Sequence, residues 1–254
     1  MLKLHSGAAA LAAALFVCAF ALGARQAQAA AQFSVEPLLI HLPADKLASS
    51  LTLGNGGSAP VTVQTELVAW NQDSGEDSHA PAAGLVVSPP IFTLAPGARQ
   101  VVRIGRTKRG AAPERELAYR IRLSEVAPAP TERTAIGTVI QLSLPIFVPP
   151  ADRKAKPAVE FKAAPRPNGD LQLSFVNPAI VHDKVVRLTA AQDGKLLADR
   201  ALNYYLLAGA RREFTWPAAL KQAKAGPVEV TVHLEGKTRT LKQTLGSAEA
   251  GGKN

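Results

Sequence analysis

The chain has 254 residues, with 29 Lys and Arg against 20 Asp and Glu, a formal charge of +9, and one cysteine, Cys18. That length suits two domains of ordinary size, each able to bury a core of its own. A lone cysteine excludes an internal disulfide framework and a Cys-based zinc site, and basic charge without interleaved aromatic residues leaves no footprint for nucleic acid.

In chain order, Lys3, the apolar run Ala8 to Leu22 and the small-x-small triplet Ala27-Gln28-Ala29 make a secretory signal peptide over residues 1–29, with Ala30 as the mature start. The run is shorter than the roughly 20 apolar residues of a spanning helix, so the mature chain is expected to be exported and not membrane-embedded. Val17 is large where a lipoprotein needs a small residue before its cysteine. Cleavage removes Cys18, and the mature chain must rely on its cores alone.

Short β-branched or alternating runs then recur between turn signals, and no long segment keeps a helical period. Strands are predicted at Ser50 to Leu53, Val61 to Val68, Leu85 to Val87, Gln100 to Ile104 and Tyr119 to Leu123. Turns fall at Gly54-Asn55-Gly56-Gly57 and Ala95-Pro96-Gly97. Trp70 is expected to fill the core of this first domain. The cluster Arg103, Arg106, Lys108 and Arg109 reads as a solvated turn.

From Pro128 to Pro150, Thr138, Ile140, Leu142, Leu144 and Ile146 alternate with smaller or more polar residues before a proline run. An apolar stripe on an edge strand, if its own fold leaves it uncovered, offers a foreign chain both backbone groups and side chains. The opposing possibility is that the same residues belong to this domain's own core. Pro149, Pro150 and Pro157 flank the charged stretch Asp152 to Lys156, a stiff polar linker.

Beyond it, strands are predicted at Leu171 to Phe175, Val185 to Ala190 and Val228 to Leu234, with turns at Pro167-Asn168-Gly169 and Asp193-Gly194. The fold class is all-β. Strands in this number and spacing suggest two immunoglobulin-like sandwiches, a first domain over 30–150 and a second over 151–245, before a small polar tail at 246–254 expected to be disordered.

The ordered motifs Phe33-Ser34-Val35-Glu36-Pro37, Ser88-Pro89-Pro90-Ile91-Phe92, Leu94-Ala95-Pro96-Gly97, Gln100 to Ile104, Pro113 to Arg120 and Glu125-Val126 resemble those of the periplasmic chaperones of the chaperone–usher pilus pathway, the PapD-like family. In the second half, Leu171 to Asn177, Val185 to Leu188, Gly194-Lys195 and Tyr205 to Gly209 are similar to that family's corresponding strands and turns.

The resemblance implies an L-shaped pair of sandwiches in the periplasm. It implies a chaperone that binds, folds and caps pilus or fimbrial subunits by donating the last strand of its first domain, then delivers them to an outer-membrane usher. Strand addition satisfies the subunit's backbone while alternate side chains fill its groove. By parity, Ile136, Thr138, Ile140, Leu142 and Leu144 face the subunit, and Val139, Gln141 and Ser143 the other side.

The family's basic residues that hold the subunit's terminal carboxylate align with Leu39 and Pro145, and its interdomain arginine with Pro149. None of the three can bind an anion. Leu142 to Val148 instead resembles the divergent, archaic branch, which implies an arginine in the preceding strand. Arg120 is the first candidate and Arg122 the reserve, both projecting away from Tyr119, Ile121 and Leu123; a solvated strand face is the plain alternative. Unloaded copies shielding the stripe by self-association also fit.

An enzyme is not expected. There is no Gly-x-Ser-x-Gly elbow or phosphate-binding loop, and His5, His41, His79, His182 and His233 are scattered. No cofactor and no metal are implied. The alternative function is a secreted sandwich module that binds carbohydrate or serves a structural role.

Overall fold

The computed structural model describes residues 33–126, 139–236 and 240–245. The expected signal peptide, Cys18, Ile136, Thr138 and the tail therefore lie outside the described residues. In chain order the first strands are β1 (Phe33–Glu36), β2 (Ile40–His41), β3 (Ala48–Asn55), β4 (Val61–Asn71), β5 (Ser78–Pro81), β6 (Leu85–Ser88), β7 (Ile91–Leu94), β8 (Arg99–Arg106), β9 (Leu117–Glu125) and β10 (Gln141–Val148). They make two facing sheets, ordered β1-β3-β8-β6 and β2-β10-β9-β4-β5, with β7 paired to the start of β4.

A second pair of sheets follows: β11 (Glu160–Pro165), β12 (Leu171–Val176), β13 (Asp183–Gln192), β14 (Lys195–Leu206), β15 (Arg211–Trp216), β16 (Val228–Leu234) and β17 (Thr240–Leu245). Their orders are β11-β12-β15 and β14-β13-β16-β17. The architecture is all-β, two immunoglobulin-like sandwiches in series. No helix of the described residues is long and apolar enough to cross a membrane.

Period-2 side chains build each layer. In β8, Val102 and Ile104 are buried while Val101 and Arg103 are exposed. In β12, Leu171, Leu173 and Phe175 go inward. Buried asparagines close the turns of both sandwiches. Asn55 donates to the carbonyls of Ala59 at 2.8 Å and Leu94 at 3.1 Å, and Asn177 to those of Val181, Leu206 and Leu207 at 2.9–3.0 Å. The predicted Gly54-Asn55 turn is thus the end of β3, and the chain reverses after it.

Two strands change allegiance along their length. In β4, Val61, Val63 and Thr65 are buried on one parity, and Val68 and Trp70 on the other. Trp70, expected in the first core, packs instead with the second sandwich's core cluster. The alternation marks a face but not the neighbour that covers it. In β10, Leu144, Ile146 and Val148 belong to the first core, whereas Phe147 belongs to the second.

These side chains make the junction between the sandwiches. Phe147 stacks on His182 with centroids 3.7 Å apart, and Trp70 meets Tyr205 edge-on at 5.7 Å. Buried Gln72 accepts from the Leu207 N–H at 2.8 Å and donates to the Tyr205 carbonyl at 2.9 Å. The Glu116 carboxylate accepts from the His182 N–H at 2.9 Å and lies 2.6 Å from its Nδ1. Half-buried Leu39 packs into the same cluster. The linker is pinned to the first sandwich, since the Ala151 N–H donates to the Pro113 carbonyl at 2.8 Å and Arg153 pairs with Asp45 at 3.3 Å.

Candidate functional site

The last strand of the first sandwich, β10, pairs antiparallel with β9 along its whole length, from Gln141↔Ser124 to Val148↔Leu117. On its other side β2 pairs with it only at Ile146↔Ile40 and Phe147↔His41. Among the described residues, the edge from Gln141 to Leu144 therefore has no strand beside it.

Hydrogen bonding fixes which groups face outward. The Ile140 carbonyl accepts from the Glu125 N–H on β9 at 2.9 Å, and the Phe147 carbonyl accepts from the Leu42 N–H beyond β2 at 2.9 Å. Because the direction alternates along an antiparallel strand, even-numbered residues bond to β9, and Gln141 and Ser143 aim both backbone groups at the open edge. Pro145 shares that outward parity, so its missing N–H costs no bond within the sandwich.

Side chains divide in the same way. Val139, Gln141 and Ser143 are exposed. Ile140 is half-buried, its N–H held by the Glu125 carboxylate at 3.1 Å. Leu142 packs against the first core and Leu144, at 8% exposure, belongs to it. Leu144, expected on the face presented to a partner, is covered here by the opposing sheet.

Both candidate arginines lie on β9, on the face away from Ile121 and Leu123, which are buried in the first core. Arg120 is the register partner of Pro145 and Arg122 of Ser143. Their surroundings differ. Arg122 Nη1 donates to Glu66 Oε2 at 3.2 Å. The Arg120 guanidinium lies 3.7 Å over the Trp70 ring, its nearest carboxylate oxygen is Asp77 Oδ2 at 4.0 Å, and its Nε is buried without a hydrogen-bond partner. Burial pushes the Arg120 guanidinium below the usual arginine range, while Asp77 and Tyr205 oppose the shift. It stays charged, so the site is a half-buried cation with unspent donors.

Nearby, burial and then Arg122 and Arg120 lower the pKa of His79. Sequence reasoning gave no role to Gln72 or to Arg212 of the second sandwich, which reach Asp77 beside Arg120 through a hydrogen bond at 2.8 Å and a contact at 3.6 Å. Among the described residues no group of three or more His, Cys, Asp or Glu is placed to hold a metal ion.

Residues 32–154 match the family model for the pili and flagellar-assembly chaperone, PapD N-terminal domain. The first sandwich belongs to the PapD-like pilus-assembly chaperones. No curated protein sequence matches it. Among solved structures it is similar to the archaic Csu pilus chaperone of Acinetobacter baumannii, solved with a tip adhesion subunit, at 18% identity and a TM-score of 0.61 over 84% of this chain and 97% of that one. It is also similar to the E. coli chaperone DraB, at 22% identity and 0.58 over 85% and 99%. A third likeness is to the Salmonella enterica SafB chaperone structure solved with SafA pilin, at 17% and 0.57 over 84% and 96%. These chaperone structures share the two-sandwich fold described here.

Proposed function

We propose that this protein is a periplasmic chaperone that holds a pilus or fimbrial subunit by adding β10 to the subunit's incomplete sheet and then passes it to an outer-membrane usher. The observation that carries the reading is the open edge from Gln141 to Leu144, which ends at the level of Arg120. A strand added along this edge stops where β2 begins, and a carboxylate at its end meets the cation opposite Pro145. The donor side chains are Ile140 and, upstream, Thr138 and Ile136; Leu142 marks the boundary. Arg120 is the carboxylate anchor, and Arg122, already paired with Glu66, the reserve. An anchor in the strand before the donor strand suits the archaic branch.

The test is periplasmic co-expression of the tagged chaperone with small secreted β-rich proteins encoded beside it, followed by pull-down. Ile140→Asp is the cleanest change because Ile140 lies outside both core clusters. Losing a large aliphatic contact of roughly 1.5–3 kcal/mol and burying a charge instead should weaken capture at least tenfold with stability unchanged. Undiminished capture by the folded variant overturns strand donation.

A further inference from the structure

Asp77, in the turn between β4 and β5, sits between two arginines that come from different sandwiches. Its Oδ2 is 4.0 Å from Arg120 Nη2, and its Oδ1 is 3.6 Å from Arg212 Nη1. Neither arginine hydrogen-bonds to it; Gln72 Nε2 does, donating to its Oδ1 at 2.8 Å. Each guanidinium is braced on an aromatic face, Arg120 at 3.7 Å over Trp70 and Arg212 at 4.4 Å over Tyr204. Glu76 pairs with the far side of Arg212 at 3.1 Å. Two guanidinium planes held in place with donors left over are prepared for a carboxylate that can accept from both.

We propose that Asp77 is a stand-in carboxylate filling a two-arginine fork, Arg120 from the first sandwich and Arg212 from the second, and is displaced by the terminal carboxylate of a bound chain. The inference rests on Arg120 as anchor and adds Arg212 as a second binding residue. Asp77 then limits how tightly the carboxylate is held, because the incoming charge must repel or replace one already there. Such a limit suits a protein that must later release what it binds.

The experiment uses the full mature chain and a short alternating Thr-Val peptide with a free C-terminal carboxylate, set against its C-terminal amide twin. The readout is the ratio of the two affinities, followed by Trp70 fluorescence. Asp77→Asn, which keeps an oxygen for Gln72, is expected to raise the preference for the free acid about tenfold. Adding Arg212→Ala is expected to remove that gain. A preference that is unchanged or lowered in Asp77→Asn overturns the stand-in, as does no acid preference in either protein. Arg120→Ala separates the two ideas: if it leaves an existing acid preference intact, the anchor itself is wrong.

Discussion

Arg120 and Arg122 are two residues apart on one face of one strand, yet their situations are not equivalent. Arg122 already spends a donor on Glu66, whereas Arg120 rests on Trp70 with its nearest carboxylate at 4.0 Å. Charge-assisted hydrogen bonds contribute about 1.5–3 kcal/mol each, so Arg120→Ala should weaken subunit capture about 10- to 100-fold. Arg122→Ala should leave it nearly unchanged, and titrating both variants against a captured subunit checks the ranking. Parity placed both arginines outward from the sequence alone, but choosing between them needed Glu66, Trp70 and Asp77, partners brought in by other strands and turns.

A different single residue carries a pH signature. The Ala218 N–H, with help from the Asn168 amide, holds the Asp170 carboxyl below the usual aspartate range. With the folded pKa depressed, the stabilisation is present above the unfolded pKa and is lost as pH falls through the folded one. NMR titration should find the Asp170 midpoint below the ordinary aspartate value, and Asp170→Asn should flatten that part of the stability–pH curve. A midpoint at or above the ordinary value contradicts the hydrogen-bond assignment.

Among elements, β10 is the one whose two edges differ most. Ser143 aims its N–H at the open edge and Leu142 aims its own at β9. Ser143→Pro should therefore keep the fold, much as Pro145 is tolerated, while removing a backbone donor from any added strand. Leu142→Pro breaks the ladder to β9 and should cost about 3 kcal/mol or more. Urea denaturation of both variants, with pull-down of the folded one, separates the two effects.

Much of this element level was legible in advance. Val228–Leu234 is the strand expected, and Asp193-Gly194 is a turn whose positive φ values, 50° and 75°, suit Asp and Gly. Less visible were β5, exposed throughout, and β15, where Arg211, Glu213 and Thr215 are exposed. Edge and half-covered strands carry little apolar alternation, so periodicity has little to detect.

At the scale of the molecule, the two sandwiches share side chains. Phe147 is fully buried in the second core although its strand belongs to the first. Phe147→Ala should cost about 3–5 kcal/mol and uncouple the units. Calorimetry should show one unfolding transition in the wild type and two in the variant. Two transitions in both would mean that the junction does not couple them. The sequence suggested two sandwiches but not this coupling, because the aromatic cluster at the junction is assembled from Trp70, Phe147, His182 and Tyr205, far apart in the chain.

Mechanically, β10 is clamped along one side by β9, wedged at its far end under β2 and into the second core, and open along its other side from Gln141 to Leu144. Any strand zipped onto its open side can be lifted bond by bond from the Ile140 end, each step facing a small barrier. Pulled along its axis, or attacked from the wedged end, it would have to give way all at once. Removal of such a strand therefore has a direction, from the Ile140 end toward β2.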